Sequence, residues 1–145
     1  MKRILVATDG SEGSNRAVDF AADLAKTYVA DLLIINIRGG YGLSIELMRQ
    51  FSDTDSAWFE ELLKTRSAKI LESARERAQS AGASTVVLES RSGHVAEAII
   101  DFAEEKDADA IIVGKRGSED VVEMLVGSVP QKLVNLASRV IMVVP

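Results

Sequence analysis

Two short stretches of this 145-residue chain combine residue types suited to holding a phosphorylated ligand. One is Thr8-Asp9-Gly10-Ser11; the other is Gly114-Lys115-Arg116-Gly117, followed after nine residues by Gly127-Ser128. Glycine lets a phosphate approach the main chain with no Cβ in the way, and the N–H groups and positive dipole end at a helix start attract anions. Ser128 with Gln131 three residues on fits a capping box, and Pro130 in the first helical turn gives up an N–H that needs no intrahelical partner. The pattern predicts an anion site built from backbone at a helix start. Each piece also has an ordinary structural use: glycines after a strand shape turns, Ser before a helix caps it, and Asp-Gly closes a turn. Their combination carries the functional reading.

The elements that must position these residues are legible as alternating patterns. Five short runs rich in β-branched residues read as strands: Ile4 to Thr8, Leu32 to Ile37, Thr85 to Glu89, Ala110 to Val113 and Arg139 to Val144. All but the third are nearly continuous in apolar residues, as in strands covered on both faces. Between them lie amphipathic segments of helical period: Ala17, Phe20, Ala21, Leu24 and Tyr28; Phe59, Leu63, Ile70, Ala74, Ala78 and Ala81; Val95, Ile99, Phe102 and Ala103; and Val129, Leu133, Leu136 and Ala137. Strand–helix alternation predicts an α/β fold, a doubly wound five-stranded parallel sheet with helices on both faces. In such sheets ligands bind beyond the carboxyl ends of the strands, where the order reverses, and both chemical stretches follow strands. Gly39 to Thr54 breaks the alternation and reads as a mobile loop or short helix. No segment resembles an interdomain linker, so residues 1–145 are expected to form one domain, a length that buries roughly 70% of the unfolded surface.

Composition narrows the chemistry. A net charge of -5 gives no electrostatic drive toward nucleic acid or anionic membranes, so any phosphate must be held locally. There is no cysteine, and the one histidine, His94, cannot build a metal site alone; beside Gly93 it reads as a turn or helix-cap residue. No nucleophile is paired with a base, and no Gly-x-x-x-x-Gly-Lys phosphate loop is present, so efficient catalysis is not expected. The apolar run after Lys2 and Arg3 is too short for a signal peptide, and no stretch approaches ~20 apolar residues, which predicts a cytoplasmic protein that does not span a membrane. Trp58 and Phe59 read as core packing or a dimer surface.

The spacing Gly114-x-x-Gly117, nine residues, Gly127-Ser128 is similar to the ATP-binding signature of the universal stress protein family. The resemblance extends to Ile4 through Ser11, the Gly93 turn leading into Ala96 to Ile99, Ala108 through Gly114, and Val140 to Val144. It implies an adenine nucleotide alpha hydrolase-like sheet in order 3-2-1-4-5, with ATP, accompanied by Mg2+, across the carboxyl ends of strands one and four. By position, Ala7 and Asp9 would face ribose and base, Ile37 and Val113 would line the adenine pocket, and Gly114, Arg116, Gly117, Gly127, Ser128 and Val129 would surround ribose and phosphates. The chain departs from relatives at Ser118, Glu119 and Asp120, where a basic residue and small residues are usual; the acidic pair reads as a solvated face or the first turn of a short helix from Asp120 to Val126. The implied function is a nucleotide-binding stress regulator, dimeric through the apolar edge strand Arg139 to Val144. The alternatives are a dimeric interaction protein without nucleotide and a slow ATPase acting through Asp9.

Overall fold

The computed structural model describes residues 1–38, 53–116 and 127–145. Within them the chain runs β1 (Arg3–Ala7), α1 (Glu12–Tyr28), β2 (Asp31–Arg38), α2 (Asp53–Ser80), β3 (Val86–Ser92), α3 (Val95–Glu105), β4 (Ala110–Gly114), α4 (Ser128–Leu136) and β5 (Val140–Val144). The strands form one parallel sheet in the order β3-β2-β1-β4-β5, as expected. Gly39 to Ser52, Gly117 and the acidic pair Glu119 and Asp120 lie outside the described residues.

Strand parity sends alternate residues to two cores. Ile4 and Val6, Leu32 and Ile34, and Ile112 join Ala17, Val18, Ala21, Ala22 and Ala25 of α1 and Leu71, Ala74 and Ala78 of α2 on the first face. Leu5, Leu33, Ile35, Ile37, Ile111 and Val113 join Ala96, Ile99, Phe102 and Ala103 of α3 and Leu133 of α4 on the second. Helix α1 starts where Ser11 accepts the Ser14 N–H at 3.2 Å. It ends at Val29, whose φ of 54° is left-handed. Small alanines along its inner stripe let its backbone approach the sheet closely.

Three expectations change. Strand β3 runs on to Ser92 rather than stopping at Glu89, pairing Ser90, Arg91 and Ser92 with Asn36, Ile37 and Arg38. Its charged residues gave no apolar signal, but Arg91 is held by Glu89 and Glu105 and lies 4.9 Å over the Phe102 ring. Both carboxylates raise the Arg91 pKa, Glu105 most strongly, and the Arg91 hydrogen bond lowers that of Glu105. Strand β5 begins at Val140, which is exposed, and is half-buried from Ile141 to Val144 instead of covered on both faces; it lies at the sheet edge with only β4 beside it. Trp58 is 66% exposed, which removes it from the core.

Candidate functional site

Strand order reverses at β1: α1 carries the chain from β1 to β2 on one side, while α3 carries it from β3 back across to β4 on the other. The carboxyl ends of β1 and β4 therefore have no helix bridging directly between them, and a cleft opens there. It measures about 480 Å³, within the range of small-ligand sites. One wall is apolar, made of Ile35, Ile37, Val95, Ile99, Val113 and Val129. The polar lining comprises buried or half-buried Thr8, Asp9, Ser14 and Asn36 at the floor and half-buried Arg116 with the exposed Lys132, His94, Glu97 and Ser128 toward the mouth.

The floor is fixed by a dense set of hydrogen bonds. The Thr8 N–H donates to the Ile35 carbonyl at 3.0 Å, its hydroxyl lies 3.0 Å from that of buried Ser14, and the Gly10 N–H donates to Thr8 Oγ1 at 3.2 Å. Asp9 Oδ1 accepts the Ser11 N–H at 2.9 Å, and Gly10 takes φ +82°, a conformation glycine adopts at little cost. Asp9 thus shapes the turn and also lines the cleft. At the other motif, the Lys115 carbonyl accepts the Gly127 N–H at 2.8 Å, and the Lys115 N–H donates to the Val144 carbonyl at 2.7 Å.

Of the residues singled out from sequence, Ala7, Asp9, Ile37, Val113, Gly114, Arg116, Ser128 and Val129 converge on this one cleft. Gly127 is buried beside it, and Gly117 lies outside the described residues. The capping-box expectation is corrected: Gly127, not Ser128, is the N-cap of α4, and Ser128 is already the first helical residue. Spacing alone does not reveal that one-residue shift. Gly114 also has a second role. A Cβ there would sit 2.9 Å from the Gly13 carbonyl group, so its glycine is needed for α1 to pack against β4.

The sequence reading passed over Lys132, Glu97 and Asn36 and took His94 for a turn or cap residue. His94 is indeed the N-cap of α3, makes no side-chain capping bond, and faces the cleft mouth. Lys132 could have been found, since it lies four residues beyond Ser128 on the same helical face. Glu97 and Val95 follow from the rule that loops after strands line the site, applied to β3. Among the described residues no group of three or more His, Cys, Asp or Glu is placed to hold a metal ion, and no helix is long and apolar enough to cross a membrane.

Fold and site define a doubly wound α/β protein with a small-ligand cleft at its topological switch point. The chain belongs to the universal stress protein family, which it matches over residues 1–145. It is similar to the universal stress protein YxiE of Bacillus subtilis, 31% identical over 145 residues, with 98% of this chain and 97% of the relative covered. A universal stress protein of Mycobacterium tuberculosis is 34% identical over 152 residues, covering 99% and 95%. Among solved structures, a universal stress protein in complex with cAMP is similar at a TM-score of 0.69 and 26% identity, covering 99% of this chain and 95% of that one. The universal stress protein UspA from Lactobacillus plantarum shares the fold at a TM-score of 0.81 and 22% identity, covering 99% and 97%.

Proposed function

We propose that this chain binds an adenine nucleotide in the switch-point cleft and acts in a stress response through that binding, without efficient turnover. The observation that carries the reading is the division of the cleft into an apolar wall and a polar floor and mouth. Ile37 and Val113 suit the faces of a purine, Asp9 with Ala7 suits the ribose edge, and Arg116 with the Gly114, Gly127, Ser128 and Val129 backbone suits the phosphates; Gly117, assigned to the phosphates by the motif, lies outside the described residues. Lys132 adds a positive group to the lining, and His94 an imidazole. Mg2+ with ATP fits this site as a phosphate-held ion, which takes one or two carboxylates and not a full protein cage; Asp9 and Glu97 are the carboxylates lining the cleft. The ion would neutralise phosphate charge there.

ATP with Mg2+ is the preferred ligand in this reading. The similar protein solved in complex with cAMP favours a second one, a cyclic monophosphate in the same cleft. Titration calorimetry of the purified protein with ATP–Mg2+, cAMP and GTP separates them. A micromolar Kd, about -8 kcal/mol, for an adenine nucleotide and none for GTP is expected, with Asp9→Ala weakening it about tenfold through loss of a hydrogen bond to a charged group. No heat with any adenine nucleotide overturns the reading.

The protein is further proposed to be a cytoplasmic homodimer paired through β5. That edge is apolar and mostly half-buried, and Val140 at its start and Val134 and Leu136 of α4 are each more than half exposed. Light scattering at micromolar concentration should give twice the chain mass, and Val140→Lys should halve it; a monomeric wild type refutes the dimer.

A further inference from the structure

Strand β2 is apolar from Leu32 to Ile37 except at Asn36, which is 1% exposed. An amide in that position needs a structural or functional reason, because Leu32 and Ile34 show what the same face accepts otherwise. Its partners form a connected chain. Asn36 Nδ2 donates to the Thr8 carbonyl at 2.8 Å, and Asn36 Oδ1 accepts from the hydroxyl of fully buried Ser67 on α2 at 2.7 Å. Ser67 Oγ lies 2.7 Å from Ser90 Oγ on β3, and Arg38 Nη1 donates to Ser90 Oγ at 2.6 Å.

The direction of this chain is forced. Ser67 has one hydroxyl proton and gives it to Asn36, so Ser90 must donate to Ser67, and Ser90 in turn accepts from the Arg38 cation. Protons therefore point one way, from Arg38 through Ser90, Ser67 and Asn36 to the Thr8 carbonyl, the arrangement in which each bond polarises the next. Ser67 also decides which end of the Asn36 amide faces Thr8. The Thr8 carbonyl belongs to the peptide that leads into Asp9, and that peptide is planar, so holding its oxygen orients the entry to Asp9. Thr8 is thereby gripped at its N–H by Ile35, at its hydroxyl by Ser14 and at its carbonyl by Asn36.

We infer that Asn36 is a positioning residue for the ligand cleft: it sets the Thr8–Asp9 peptide so that Asp9 meets the ribose hydroxyls, and Ser67 orients the amide that does so. The inference rests on the adenine-nucleotide reading of the cleft. It differs from a packing role because its effect on affinity belongs to the ribose and not to the phosphates.

The test is calorimetric titration of wild type, Asn36→Leu, Ser67→Ala and Ser67→Thr with ATP, ADP and 2′,3′-dideoxy-ATP, each with Mg2+, on protein shown to be folded by circular dichroism. Losing the hydrogen bond to Thr8 should weaken ATP about tenfold in Asn36→Leu and about threefold in Ser67→Ala, with Ser67→Thr restoring affinity. The penalty for removing the ribose hydroxyls, expected to be about tenfold in wild type, should nearly vanish in Asn36→Leu, while the ratio of ATP to ADP affinity stays the same. Should Asn36→Leu not fold, the same ribose comparison is read from Ser67→Ala, which removes only one oxygen. A wild type that binds none of the three nucleotides overturns the nucleotide reading and this inference together. A wild type that binds, with a ribose penalty undiminished in both Asn36→Leu and Ser67→Ala, overturns this inference alone.

Discussion

The two faces of the sheet begin alike and finish differently at the carboxyl ends of the strands. On the first face, under α1 and α2, Val6, Ile34 and Ile112 give way to Thr8, Asn36 and Gly114. On the second, under α3 and α4, apolar residues continue to the rim through Ile37 and Val113. The first face is packed by alanines and glycines that bring α1 close, and its rim is closed by hydrogen bonds. The second is packed by larger side chains such as Phe102, Ile99 and Leu133, and its rim stays open as the apolar wall of the cleft. The difference teaches that the cleft takes its apolar surface from one core and its hydrogen-bonding groups from the other.

The largest test of this contrast is on the second face. Phe102 is 1% exposed and carries Arg91 over its ring, so Phe102→Ala should cost about 3–5 kcal/mol in urea unfolding, mainly through the cavity left. On the first face the sensitive direction is the opposite, adding volume where backbones touch. Gly114→Ala would press a Cβ against the Gly13 carbonyl group and should cost about 1–3 kcal/mol by the same measurement. A neutral Gly114→Ala would show that α1 does not pack as tightly as the contrast requires.

Smaller effects sharpen the picture at the ends of the elements. Val29, 84% exposed and β-branched at φ 54°, ends α1 in a conformation suited to glycine; Val29→Gly should raise stability by about 1 kcal/mol, seen as a higher Tm. At the amino end of the sheet, Asp109 Oδ2 accepts the Lys2 and Arg3 N–H groups at 2.6 and 3.0 Å. The Arg3 and then the Lys2 hydrogen bond hold the Asp109 pKa below its ordinary 3.8. Its stabilisation is therefore present above the unfolded value and lost as pH falls through the lower folded one. Asp109→Asn should be less stable by about 0.5 kcal/mol at pH 7, a modest figure for a solvent-exposed carboxylate, with the gap to wild type closing below about pH 4.

Much of the fold was legible because buried parallel strands leave nearly unbroken apolar runs, and the helices between them leave a period of 3.6 residues. Strand β3 was cut short because Ser90, Arg91 and Ser92 pair through backbone, which charge patterns do not report. The start of α4 was misplaced by one residue because Ser128 and Gln131 match a capping box, while Gly127 is the residue that takes the extended N-cap conformation. Most of the cleft was found through the loops after β1 and β4; His94 and Glu97, at the N-cap and first turn of α3 just after β3, were not, because no motif marks either residue as a ligand contact.

By itself the sequence determined the alternation of strand and helix, the two motif regions and the family, since these rest on local periodicity and on spacing along the chain. Only the tertiary structure decided what Asn36 is for. An asparagine within an apolar run states that a polar group is buried, but its partners Thr8, Ser67 and Ser90 lie 28, 31 and 54 residues away and meet it only after three strands and a helix have packed. The direction of that hydrogen-bonded chain, ending on the residue before Asp9, follows from proton count and geometry together, and geometry is what a sequence does not carry.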